Sequence, residues 1–418
     1  MLAPIPDART SISSWRQARQ QLAATSTDLR HAESDLVRAE ALVRQALSAL
    51  LPDIRLTASA AFDLDNPDTA PGVPGAVDGR STTAPVGTAS LSLSQSLVDV
   101  ASWRGRDAAA TSRRSSEWAL FDVRRRISQR LATALVAVVT AERVAELNRL
   151  GLSQSLERAN LSQRTFELGR ATELDVVRAR QDVAVARSAL IAGDEQLRGA
   201  REALGVALGT GDQIGVRKDF RLDGILEELS GHCRGLGGSE LRADEEAAAT
   251  AVKSAQQRTA AARATRLPTL DLTSNLFAVT TDPDVARVAS WSIAAVLSLP
   301  LWDGGLRSAQ IKEREALEID AQASAEEVKR SARFERSRSR RAVSVSESLV
   351  SVATEARALA ERLDTMTRRS FEIGRATSLE LVQSAVALRQ AELALALRQF
   401  ESMQARLDAL LTEARCDS

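Results

Sequence analysis

The stretches TFELGRATELDVVRA, residues 165–179, and SFEIGRATSLELVQS, residues 370–384, decide how this chain is read. They are two versions of one phrase, 205 residues apart. In each, a glycine (Gly169, Gly374) closes an apolar-periodic segment, and glycine suits the left-handed backbone that ends a helix. Thr172-x-x-Asp175 and Thr377-x-x-Glu380 then carry the pattern of a capping box, or close to it, that opens the next helix. Both stretches predict helix, tight turn, helix.

Further matches lie outward from these turns. Leu51-Pro52-Asp53-Ile54 pairs with Leu267-Pro268-Thr269-Leu270, and Leu97-Val98-Asp99 with Leu301-Trp302-Asp303. Their offsets, 216 and 204 residues, differ because the first half carries a longer loop. The repeat is too long for a solenoid unit, so the chain is a duplicated half-chain. Each half reads helix, strand, strand, long helix, turn, helix.

Proline marks where the helices cannot run. The ten prolines sit at 4 and 6, at 52, 67, 71, 74 and 85, and at 268, 283 and 300, with none from 101 to 267 or after 300. A helix interior tolerates proline at a cost of about 3 kcal/mol. The two proline-free tracts are therefore open to long helices, and the two proline-bearing islands read as hairpins at 52–99 and 268–301.

Within the islands apolar and mostly polar residues alternate: Ile54, Leu56, Ala58, Ala60, Phe62 and Leu64; Ala89, Leu91 and Leu93 against serines 90, 92 and 94; Leu270, Leu272 and Leu276 against Asp271, Thr273 and Phe277; and Trp291, Ile293, Ala295, Leu297 and Leu299 against serines 290, 292 and 298. A period of two gives each strand one apolar and one polar face. Runs of ~10 residues suffice to cross a bilayer when tilted. Four strands are too few to close a barrel, so they need partners from other copies.

The helices are expected at about 26–50, 105–168 and 173–208 in the first half (1–208), and about 240–266, 305–373 and 378–411 in the second (240–418). Residues 209–239, Gly-rich, read as an irregular linker. In each half two short helices placed end to end match the long one, on the order of 100 Å at 1.5 Å per residue. Such rods need lateral neighbours along their length. Val176, Ala179, Val183, Ala186, Leu190, Gly193 and Leu197 keep the 3-4 spacing of coiled-coil packing. Leu379, Val382, Val386, Leu393, Ala396 and Phe400 keep it too, broken once at Arg389. A second stripe, Leu381, Ala385, Leu388 and Leu395, lets that helix touch neighbours on both sides. An ordinary antiparallel bundle is the plainer reading of the same spacing.

Composition narrows the classes. Apolar residues make up 44% of the 418 residues, but aromatics only 3% and tyrosine is absent, which favours helices packed by small side chains. Lys+Arg and Asp+Glu are equal at 55 each, so no global field calls for nucleic acid. The basic run 330–341, RSARFERSRSRR, reads as a solvated helix face. Cys233 and Cys416 are far apart and outside any CxxC, and His232 beside Cys233 does not make a four-ligand site, so no metal or other cofactor is expected. There is no nucleophile–base constellation and no phosphate loop, which speaks against an enzyme. No apolar run is long enough for a membrane-spanning helix. The first fifteen residues lack the positive-then-apolar pattern of a secretory signal, and no nearby cysteine suggests a lipid anchor.

Leu50–Ser59 (LLPDIRLTAS), Leu297–Gly305 (LSLPLWDGG) and the two FE[LI]GRAT turns resemble the outer membrane efflux protein (TolC) family, over about residues 26–411. The strand ending L-x-x-P-L-x-D-G-G is intact in the second half and degenerate at Leu93–Ala101. The resemblance implies a mainly α fold with a small β part. Three subunits would form a twelve-stranded outer-membrane β-barrel continued by a periplasmic α-helical barrel, with residues 209–248 in a belt around its middle. It implies an export channel of a tripartite efflux pump or type I secretion system. Its partners would be a homotrimer, a periplasmic adaptor, an inner-membrane pump of the RND, ABC or MFS type, and outer-membrane lipid. The turns would form the aperture: Asp175 and Glu380 are gate candidates, and Glu380 would contribute to an acidic ring. The family's next acid is Gln383 here. Gly169, Arg170, Ala171 and Thr172, with Gly374, Arg375, Ala376 and Thr377, would be the adaptor-docking turns. Trp291, Ile293, Leu297 and Leu299 would face lipid, with a thin aromatic girdle drawn from Phe62, Trp103, Phe277, Trp291 and Trp302. The alternatives are a soluble coiled-coil scaffold or a degenerate, non-transporting paralogue.

Overall fold

The structure is a computed structural model and describes residues 3–61, 86–237, 240–280 and 289–416. In chain order the elements are β1 (Thr10–Ile12), α1 (Trp15–Thr25), α2 (Thr27–Ser48), β2 (Asp53–Ala61), β3 (Val86–Val98), α3 (Val100–Glu167), α4 (Glu173–Ala207), β4 (Ile214–Val216), α5 (Leu222–His232), β5 (Cys233–Gly235), α6 (Ala243–Ala264), β6 (Thr269–Val279), β7 (Ala289–Ser298), α7 (Leu306–Glu372), α8 (Ser378–Thr412) and β8 (Ala414–Cys416). The duplication is plain in the order α2-β2-β3-α3-α4 and α6-β6-β7-α7-α8. Phe62 and Leu64 lie outside the described residues.

Three stretches differ from the sequence reading. The span read as an irregular linker, 209–239, holds β4, α5 and β5 within its described residues, 209–237. Ile225 and Leu229, four apart, are buried on one face of α5, a face too short to stand out beside Gly224 and Gly231. A helix before residue 26, α1, also went unread; Ser14 caps it by accepting from Gln17 N–H at 3.2 Å. Helix α3 begins at Val100 rather than Gly105, because Asp99 caps it, its Oδ1 accepting from Ser102 N–H at 3.0 Å. In the second half Asp303 accepts from Gly305 N–H at 3.0 Å and Arg307 N–H at 3.2 Å. Gly304 and Gly305 there take positive φ of 67° and 92°, so a turn intervenes. The glycine pair missing from the first half is thus the difference between a turn and immediate helix.

The chain divides into two units. One comprises Ser34–Trp118 and Glu246–Val328 and contains a four-stranded antiparallel sheet of order β2-β3-β6-β7. Its register aligns Ile54, Leu93, Ser274 and Ile293 across the four strands, and Leu56, Leu91, Leu276 and Trp291 in the next row of the same face. The opposite face carries Arg55, Ser92, Asn275 and Ser292. The period of two in each strand therefore sums to one apolar and one polar sheet face. The one hydroxyl in the quoted apolar rows, Ser274, accepts the Trp291 indole N–H at 2.8 Å.

The other unit comprises Met1–Glu33, Ala119–Glu245 and Lys329–Ser418. Its core holds fully buried Leu131, Leu135, Leu152, Leu204, Leu407 and Leu411. Strand β1 pairs in parallel with β4, and β5 pairs antiparallel with β8. Cys233 is disulfide-bonded, and Cys416, the sequence's other cysteine, is its register partner. The basic run on α7 also does more than meet solvent: Arg336 pairs with Glu245 and Arg340 with Glu413.

Candidate functional site

The two turns of the repeated phrase have the same construction. Gly169 (φ 71°) donates to Phe166 O at 2.8 Å, and Arg170 to Thr165 O at 2.8 Å. Gly374 (φ 75°) donates to Phe371 O at 2.9 Å, and Arg375 to Ser370 O at 2.8 Å. This 5→2 and 6→1 pair is the Schellman motif, and it satisfies the last carbonyls of α3 and α7. The next residues form complete capping boxes. Asp175 Oδ2 accepts from Thr172 N–H at 3.0 Å, and Glu380 Oε2 from Thr377 N–H at 2.7 Å.

The turns also touch. Ser378 Oγ donates to Asp175 Oδ1, tying the second-half turn to the first-half one. That bond, then the Thr172 N–H, holds the Asp175 carboxyl below the usual carboxylate range. The Thr377 N–H lowers that of Glu380, which is fully exposed. Gly169, Arg170, Thr172, Gly374, Arg375, Thr377 and Gln383 are exposed, and Ala171 and Ala376 half-buried. The structure brings Asp175 and Ser378 together and leaves Glu380 on its own cap.

A second connection lies above the turns and was not read from the sequence. Asp182 on α4, its side chain only 4% exposed, meets Arg158 of α3 at 2.7 Å and Arg389 of α8 at 3.4 Å. Arg389 is the residue that interrupts the apolar stripe of α8, and that interruption was its signal. A Cβ at Gly151 would lie 2.6 Å from Arg389 Cδ, so α3 keeps a glycine where the arginine passes. Nearer the turn, buried Asp364 accepts from Ser384 Oγ at 3.1 Å and pairs with Arg368 at 3.2 Å. Carboxylates so buried persist only when paired and hydrogen-bonded.

The sheet supplies the remaining feature. Trp291, Ile293, Leu297 and Leu299 are exposed, and every residue of β2 and β7 is exposed. No described helix is long and apolar enough to cross a membrane, and the described residues hold no cluster of metal-binding side chains.

The model of the outer membrane efflux protein family matches residues 18–210 and 240–413. The chain belongs to that family. Outer membrane efflux proteins are channels, not a family of enzymes, and membership places this chain in the cell outer membrane as an efflux channel protein. Among the solved structures similar to it in fold are three membrane proteins. VceC from Vibrio cholerae is 20% identical, with 96% of each chain covered and a TM-score of 0.80. CusC is 16% identical, covering 98% of this chain and 96% of that one, with a TM-score of 0.81. CmeC from Campylobacter jejuni is 16% identical, covering 98% and 90%, with a TM-score of 0.80. No curated protein matches the chain at a significant level.

Proposed function

We propose that three copies of this chain form the outer-membrane duct of a tripartite efflux pump or type I secretion system. The observation that carries this is the open sheet. It has a continuous apolar face, two unpaired edges at β2 and β7, and too few strands to close alone. Joining β7 of one copy to β2 of the next, three times over, pairs every edge and turns the apolar faces to lipid. Helix α7 also supports assembly with further helices. Val345, Leu349, Val352, Leu359, Leu363, Met366 and Ile373 form an exposed stripe at spacings of three, four and seven, which calls for another helix.

The turns are the aperture and the docking end. Glu380, exposed and held ionised, contributes to an acidic ring in the trimer, while Asp175 and Ser378 fasten the two halves of one subunit. Arg170, Ala171, Arg375 and Ala376 meet a periplasmic adaptor that links the duct to an inner-membrane pump. Native mass spectrometry of detergent-extracted protein should give three copies. A monomer whose far-ultraviolet circular dichroism shows helix and no sheet refutes the reading. Single-channel recording of Glu380→Gln should show weaker cation selectivity and cation block, and unchanged values remove the ring. Crosslinking from Ala376 to a co-expressed adaptor tests docking, and its absence in a working pump counts against it.

A further inference from the structure

A passive duct gives no use to the cavity among α1, α2, α3 and α5. It is partly open to solvent and has a volume of about 340 Å3, in the range of small-molecule sites, ~300–1,000 Å3. Its walls are Leu22, Leu29, Ile127 and Leu229, none more than 8% exposed. Disulfide-bonded Cys233 adds a further apolar surface. An apolar chain laid along such side chains would gain dispersion contacts with them.

The polar lining is unbalanced. Arg19 on α1 and Arg124 on α3 both border the cavity. Arg19 makes no side-chain hydrogen bond or ion pair among the described residues. Arg124 lies over the Phe121 ring, 5.9 Å from its centroid, and has no carboxylate partner among the described residues. Its neighbour Arg125 shows the usual alternative, pairing with Asp122 at 2.8 Å. Glu33 also borders the cavity, so the rim keeps one net positive charge. Guanidinium groups match carboxylate geometry and are weakly hydrated, which suits them to an anion at the edge of an apolar space.

We propose that this cavity binds a single-chain amphiphilic anion, an aliphatic carboxylate in its simplest form. The chain lies against Leu22, Leu29, Ile127 and Leu229, and the head meets Arg19 and Arg124. The full-length protein in lipid nanodiscs, titrated with decanoate by calorimetry against empty nanodiscs, should show one saturable site per chain. Decanol, with the same tail and no charge, should bind at least tenfold more weakly. So should decanoate to Arg19→Gln/Arg124→Gln, whose changes lie at the rim, outside the core. Ala23→Trp, which fills the space, should abolish binding. Hydrogen exchange of the unmodified protein should slow in 15–25 and 222–232 on adding decanoate and stay unchanged at the turns. Overturning results are no saturable binding beyond that of empty nanodiscs, equal binding of decanol, or unchanged binding by the double variant.

Discussion

Replacing Asp182 with Asn tests how the two halves of the chain are held together. The substitution keeps the side chain's shape and removes its charge. It leaves Arg158 and Arg389, whose side chains are 14% and 13% exposed, facing each other without a counter-ion. Arg158 Nε and Arg389 Nη1 already lack partners among the described residues, so neither guanidinium has a ready alternative. Breaking a buried ion pair by removing one partner costs about 3–5 kcal/mol. The 3.4 Å contact to Arg389 is the looser one, which places the loss near the lower end, about 3 kcal/mol. A tenfold change in an equilibrium corresponds to about 1.4 kcal/mol, so local opening should become roughly a hundredfold more frequent. Amide hydrogen exchange in 176–190 and 384–396 reads that opening directly. Gly151→Ala, which crowds Arg389, should have a smaller effect that does not add to that of Asp182→Asn. Exchanging all three residues for apolar ones, Asp182→Leu with Arg158→Met and Arg389→Met, should restore protection, since no uncompensated charge remains. If Asp182→Asn leaves exchange in both segments within about threefold of wild type, the ion triad is not what joins these helices.

Acid should act on the turns late. Asp175 has a lowered folded-state pKa, so its contribution is complete above the unfolded carboxyl value and is lost as pH falls through the folded one. Exchange at residues 170–178, corrected for intrinsic rates, should hold steady from pH 7 to about 5 and rise only below about 4, and Asp175→Asn should show the raised rate at every pH. On the sheet, Trp291→Arg puts a charge on the apolar face, at about 2–4 kcal/mol if it lies near the bilayer midplane. It should reduce the heat-resistant oligomer on gels, while Ser292→Arg on the opposite face should leave it intact; equal loss in both would contradict the face assignment. Cys233→Ser removes a crosslink of a kind worth about 2–5 kcal/mol. It should lower the denaturation temperature by the same amount that dithiothreitol lowers that of the wild type, with no further effect of the reductant on the variant.

Period-two alternation, proline islands and the doubled FE[LI]GRAT phrase made the strands and turns legible, because each is a local pattern with a local physical cause. The ends of α3 and α7 followed from Gly169 and Gly374, whose positive φ no neighbour had to supply. What stayed hidden depended on distant partners. Nothing near Asp182 announces that Arg158 and Arg389 will reach it from two other helices. Strands β1, β4, β5 and β8 are three residues each, too short for periodicity to register. Ser378 looked like an ordinary first helical residue, and its bond to Asp175 spans 203 positions of sequence. At the candidate site the caps could be read, while the fastening between them could not.

The short strands at either extremity share a dependence. β1 adds to β4, and β8 to β5, so both extremities are sewn to the same span between the repeats. Thr10 must wait during synthesis until Ile214 has emerged, and Cys233 must wait for residue 416, the slow, long-range kind of closure. Excising 209–239 would therefore remove the pairing partners of β1 and β8 and unmoor both strands, which makes that unrepeated span the clasp of the subunit.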